Sequence, residues 1–378
     1  LGKLIILVKD RLEKAGEGDA QKIIMCSPVS GFIVPGNPLI SLQIYCMRKR
    51  NWLLIIPLLL LIVYLLGPKP TTPVYSTDMP VIPSDADALI TYIDNDEKAH
   101  KLKKDNEARI IWFNDSTKNI TPVSIVYLHG FSASQEEGDP VHERIAKQFG
   151  CNLYLSRLAE HGIDTTEAMA NLTADKYWES AKEALAIGRR LGEKVILMGT
   201  STGGTLALKL AAEYPDVYAL VLMSPNIEID DPNAWLLNNP WGLQIARLVK
   251  GGKFIDSKTD TRPAYLQYWQ PRYRLEAAVA LEELLETSMT PATFHRVDQP
   301  ALVLYYYKDD VHRDSTVKVS AIKKMYEELG TPPEKKRAIP MPNTGNHVIG
   351  SYIKSKDVDG VERETAKFFS EVLQLPKH

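Results

Sequence analysis

The sequence predicts an α/β fold: a mostly parallel central sheet, flanked by helices and interrupted once by a helical lid insertion. Three observations carry this. Short β-branched or aliphatic runs alternate with longer amphipathic stretches, one run passes through a glycine-rich turn directly into a helix, and the alternation breaks for about seventy residues after Pro225. The chain of 378 residues exceeds an average domain, but one α/β core with an insertion fills that length, so no second unrelated domain is required. Forty-five Lys plus Arg against 47 Asp plus Glu leave a formal charge of −2, and 44% hydrophobic with 24% charged residues is the globular average. Such a balance argues against a disordered chain, a collagen-like repeat or a nucleic-acid-binding tail, and gives no hint of a polyanionic partner. Cys26, Cys46 and Cys151 are too few and scattered for a disulfide framework, and no C-x-x-C pair is present to hold zinc.

The longest apolar run is Trp52 to Leu66, preceded directly by Arg48-Lys49-Arg50, the order of charge and hydrophobicity with which a signal-anchor or export signal begins. Fifteen helical residues reach about 22 Å, short of the roughly 30 Å hydrocarbon core, so the run lies between a signal-peptide core and a full span. The reading is a signal-anchor over 47–67, with a cleaved signal as the alternative and a buried core helix as the bland one. It implies a membrane-anchored protein with its catalytic domain outside the cytoplasm, or a secreted or periplasmic one if the signal is cut. Met47 would open such a chain, and residues 1–46 are an N-terminal extension whose nativeness this reading leaves open. Pro68, Pro70, Pro73, Pro80 and Pro83 then mark 68–85 as an extended linker. The globular part is expected from Ala86, with its core over 86–225 and 296–378.

Strands are expected at Ile110–Phe113, Ser124–Leu128, Asn152–Leu155, Val195–Met198, Ala219–Met223 and Ala301–Tyr306. Thr173 can cap a helix whose apolar positions recur at helical spacing until Gly192, and Lys318 to Leu329 repeats the design ahead of Gly330. The insertion, 226–295, reads as a lid. Its Trp235, Trp241, Trp269, Tyr265, Tyr268 and Tyr273 either line an apolar acyl or aromatic pocket or pack the lid onto the core, packing being the commoner fate of any one of them.

Chemistry concentrates where Lys194–Met198 leads into Gly199-Thr200-Ser201-Thr202-Gly203-Gly204 and on into a helix, a strand, tight turn and helix with G-x-S-x-G at the turn. A Cβ at Gly199 or Gly203 would meet neighbouring chain, and the helix aims its N-terminal amides at any oxyanion formed beside Ser201. A phosphate loop is the competing reading, but Thr205 stands where it needs Lys. A nucleophilic serine needs a base, and of the histidines that follow it, His347 sits in a polar loop after the strand-like Ala338–Met341. His295, His312 and His378 are placed less well. The orienting acid should stand where the Ala301–Tyr306 strand ends. Asp309 is favoured by spacing, Asp310 is the alternative, and Asp314 ranks third. Upstream, Leu128-His129-Gly130-Phe131 offers the Phe131 amide as one oxyanion donor, with that of Thr202 as the other. His129 reads as a structural hydrogen-bonder.

With these motifs in this order, the chain resembles the serine α/β-hydrolase superfamily near its carboxylesterase and monoacylglycerol-lipase-like members. Leu158-Ala159-Glu160-His161-Gly162 is similar to that family's Gly-His-Gly segment, with Glu160 in place of the first glycine. The acid turn, Tyr306-Tyr307-Lys308-Asp309, departs from the glycine usual there. The resemblance covers about Ala86 to His378 and implies an α/β-hydrolase fold and hydrolysis of a small-molecule ester or lipid through an acyl-serine. No metal or organic cofactor and no nucleic acid is implied, and the membrane enters through the N-terminal apolar segment alone. A thioesterase or acyltransferase would use the same triad, and a membrane-tethered binding protein on this scaffold would need none of it.

Overall fold

The computed structural model describes residues 54–257 and 260–378. The readings that concern residues 1–46 and the start of the apolar run fall outside those residues. The chain divides into two units, the first ending at Val63. The described part of that unit, residues 54–63, is helical and carries exposed apolar side chains, Leu54, Leu58 and Leu60 among them. Among the described residues no helix is long and apolar enough to cross a membrane.

The second unit is built on seven strands: β1 (Arg109–Ile111), β2 (Thr121–Leu128), β3 (Asn152–Leu155), β4 (Gly192–Thr200), β5 (Val217–Met223), β8 (Ala301–Tyr305) and β9 (Lys336–Pro340). Their order is β1-β3-β2-β4-β5-β8-β9, antiparallel at the β1 edge and parallel elsewhere. Two further short strands, β6 (Phe254–Asp256) and β7 (Arg272–Arg274), pair inside the insertion.

Both faces of the sheet are covered, and this is why the strands read as continuous apolar runs rather than alternating ones. Along β2, Val126 and Leu128 join one buried cluster while Ile125 and Tyr127 join the other. The first cluster takes in α3 (Ala174–Leu191), α4 (Thr202–Glu213) and α9 (Val319–Glu328). The second takes in α2 (Val141–Gln148) and α10 (Val358–Glu371), through Ile145, Val361, Phe368 and Phe369. Thr173 caps α3 by accepting the Lys176 amide, and Gly192 passes at once into β4.

Two boundaries differ from the sequence reading. Residues 74–82 are strapped to the core rather than forming a free tether. Trp178 Nε1 donates to Ser76 O, Tyr214 donates to Thr77 O, Lys182 Nζ donates to Asp78 O, and Ile82 is buried. Prolines there set an extended course that side chains of α3 and Tyr214 at the end of α4 then clasp. Within the insertion, α7 (Leu275–Ser288) is mostly buried and packs against α3 and α4, so this last part behaves as a flanking helix of the core. The part placed over the loops of the sheet is α6 (Pro263–Tyr268) and the residues following it.

Candidate active site

Parallel strands bring their carboxyl ends to one edge, and the register sets Leu128 beside Gly199 and Thr200 beside Met223. Sites of open α/β sheets form along that edge. Ser201 stands between β4 and α4 at φ 53° and ψ −117°, a left-handed-side conformation strained for any residue with a Cβ. The surroundings hold it there. Its N–H donates to Met223 O, and its carbonyl accepts the Gly204 and Asn226 amides. A Cβ on Gly203 would lie 1.8 Å from Leu128 O, and one on Gly199 would lie 2.5 Å from the Gly203 carbonyl carbon. Both glycines are therefore steric requirements of the turn, as the sequence reading expected.

His347 donates from Nδ1 to Asp314 Oδ2 at 2.6 Å, while its Nε2 has no protein partner among the described residues. The Asp314 side chain is fully buried and that of His347 is 12% exposed. Burial alone would lower the His347 pKa, but the charge and hydrogen bond of Asp314, with the charge of Glu137, outweigh it and raise the value. Burial would likewise raise Asp314, yet His347 and the Thr316 and Val317 amides bring it below the usual carboxylate range.

The acid expected from the sequence is thereby corrected. Asp309 does not meet His347: it binds the Val311 and His312 amides and the His312 ring in an exposed turn, and Asp310 accepts from Tyr307. After β8 the chain makes a small excursion closed by the Tyr307–Arg313 bridge, and only on its return does Asp314 N–H donate to Tyr306 O. The excursion places the carboxylate that meets His347 five residues further along. No local signal separated the two, since Asp309 and Asp314 each accept the amides two and three residues on.

The loop from which an oxyanion donor is expected is fastened at three points. His129, fully buried, donates from Nδ1 to Gly130 O and accepts the Leu158 amide on Nε2. His161, held down to about 4 by burial, accepts the Ser132 amide. The Glu137 carboxylate accepts the Gly130 N–H. Among the described residues the Phe131 and Thr202 amides have no acceptor, which leaves two adjacent donors beside Ser201. Sequence reasoning missed the Glu137 contact and the hydrogen bond that His161 accepts from Ser132.

Of the aromatic side chains in the insertion, Tyr265 and Trp269 stack and are buried with Ala133, Val348 and Ile353, while Tyr273 meets the Phe131 ring edge-on at 4.9 Å. Gln270 N–H donates to Ser132 O. The insertion thus roofs the oxyanion loop and the His347 loop. Trp235 is half exposed and packs no part of that roof.

This constellation defines a hydrolase of the α/β class. The model of the serine aminopeptidase S33 family (Hydrolase_4) matches residues 124–340, more than half of the chain, and the protein belongs to that family. It is 31% identical over 108 residues to a thermostable monoacylglycerol lipase of Bacillus sp. (strain H-257), a stretch that is 29% of this chain and 42% of the relative. The chain therefore matches less than half the length of that relative. Among solved structures, the fold is similar to that of one of two metagenome-derived lipolytic enzymes, LipS and LipT, at TM-score 0.56 and 17% identity over 71% of this chain and 99% of that one. It is also similar to a Paleococcus ferrophilus monoacylglycerol lipase, at TM-score 0.51 and 14% identity over 69% and 96%.

Proposed function

We propose that the protein is a serine hydrolase of carboxylic esters, in the manner of a carboxylesterase or monoacylglycerol lipase, with Ser201 as nucleophile, His347 as base and Asp314 as orienting acid. The observation that carries this reading is the buried Asp314–His347 hydrogen bond at the sheet edge that holds the strained Ser201 turn. Ser201 Oγ adds to the ester carbonyl as His347 Nε2 takes its proton, and the Phe131 and Thr202 amides receive the oxyanion. As the tetrahedral species collapses, the proton passes from His347 to the leaving alkoxide, and the acyl group stays on Ser201. Water, deprotonated by the same imidazole, then releases the acid and restores the serine. The name of the Bacillus relative and the apolar roof of Tyr265, Trp269 and Tyr273 support an acyl ester as substrate.

The exposed apolar helix at 54–63, together with Arg48-Lys49-Arg50, supports a membrane tether with the hydrolase outside the cytoplasm. Treating the protein with a fluorescent phosphonate beside Ser201→Ala, and assaying short and long p-nitrophenyl esters, tests the activity. Labelling that vanishes in Ser201→Ala together with ester turnover is the expected result. A folded protein that neither labels nor turns over would favour a binding function instead.

A further inference from the structure

Glu137 lies on the 3₁₀ turn Gln135–Gly138 and is 2% exposed, a place where a carboxyl is costly to bury. Its carboxylate takes the Gly130 N–H, the amide immediately before the Phe131 donor. Gly130 is the meeting point of two groups. A Cβ there would lie 2.8 Å from Glu137 Oε2 and 3.0 Å from Ser201 Cβ. The same turn also grips the loop that carries His347: Ser351 Oγ donates to Glu136 O, Tyr352 N–H donates to Asp139 O, and Pro140 bridges Ser351.

A structural peg for one amide does not need charge, since a serine or asparagine oxygen would accept the same hydrogen bond at a smaller desolvation cost. The groups that feel Glu137 are the His347 imidazole and the hydroxyls of Tyr127, Tyr177 and Tyr265, and of these only the imidazole becomes a cation in ordinary solution.

We propose that Glu137 is a positioning residue of this site: its carboxylate fixes the Gly130 amide so that the Phe131 N–H is left for the oxyanion, and its charge supports the His347 imidazolium beside that of Asp314. This rests on the serine-hydrolase reading and adds a second carboxylate to it. Burial raises Glu137 to about 7, against the pull of the Gly130 N–H and the His347 charge, so its ionisation falls near neutral pH. The coupling is reciprocal: Glu137 raises His347, and His347 lowers Glu137.

Glu137→Gln keeps the shape and an acceptor for Gly130 but removes the charge. It is expected to lower kcat about tenfold with KM little changed, short of the 10²–10³ lost with a whole oxyanion donor. The acid limb of kcat/KM should move to lower pH, because His347 loses one of the charges that raise it. Wild-type kcat and an unmoved acid limb in a normally folded Glu137→Gln would overturn the proposal. Should that variant not fold, ¹³C-carboxyl glutamate labelling of the parent and of His347→Ala decides. One glutamate with a midpoint near 7 is expected to move upward when the imidazole is removed, and no responding carboxyl would overturn the proposal. Absent turnover in the parent strikes the serine-hydrolase reading itself, whereas normal parent turnover with an indifferent Glu137→Gln strikes only the Glu137 assignment.

Discussion

The turn that carries Ser201 and the turn that carries the acid both leave the same edge of the sheet, yet they are built on different principles. Around Ser201 every backbone atom is constrained, because two glycines admit no Cβ and the serine is held at positive φ by bonds to Met223, Gly204 and Asn226. After β8 nothing comparable constrains the chain. It loops out through Asp309 and Asp310, closes on itself at Tyr307 and Arg313, and delivers Asp314 on the way back. A turn dictated by sterics leaves its signature in residue type at fixed spacing. One that is set by the length of an excursion does not.

The largest expected effect lies at the constrained turn. Ser201→Ala should cost about 10⁶ in kcat while leaving the thermal transition in place, measured by ester turnover and calorimetry. The comparison sharpens at the other turn: Asp314→Asn should cost about 10⁴, since the imidazole loses both its orientation and the charge that stabilises its cation. Gly203→Ala breaks the turn through structure instead, forcing a Cβ against Leu128 O, and should destabilise the fold by about 3 kcal/mol or more in urea unfolding.

A smaller effect concerns pH. In the proposed mechanism neutral His347 is the active form, and its pKa is raised, so activity should be lost on acidification through a midpoint above the ordinary 6.5 of histidine. Asp314→Asn should move the midpoint of whatever activity remains downward, and an upward shift in the residual profile would contradict the assignment. Asp309→Asn should change kcat/KM by no more than about twofold, because its partners are all in its own exposed turn.

The same contrast explains what was legible in the sequence. Strands β2, β4, β5 and β8 were readable because burial on both faces forces unbroken apolar runs, and α3 because Thr173 and Gly192 mark its ends. The roles proposed for Ser201, His347 and the Phe131 and Thr202 amides rest on motifs whose residues are needed locally. The acid was misplaced because Asp309, Asp310 and Asp314 are chemically alike and only the fold distinguishes which of them meets His347. Glu137 carried no local signal either. In Gln135-Glu136-Glu137-Gly138 two adjacent glutamates read as a solvated turn, and only the packing of that turn against Gly130 buries one of them. The linker reading failed for a related reason, since prolines in 68–85 describe backbone course and not the clasp supplied by Trp178, Lys182 and Tyr214.

The most direct test of the assembled site is the rate of phosphonate labelling at Ser201 in the parent, Asp314→Asn and Asp309→Asn proteins under one set of conditions. Parent and Asp309→Asn labelling at the same rate, with Asp314→Asn slowed by about 10³ or more, is the predicted result. Rapid labelling of Asp314→Asn with loss in Asp309→Asn would contradict it.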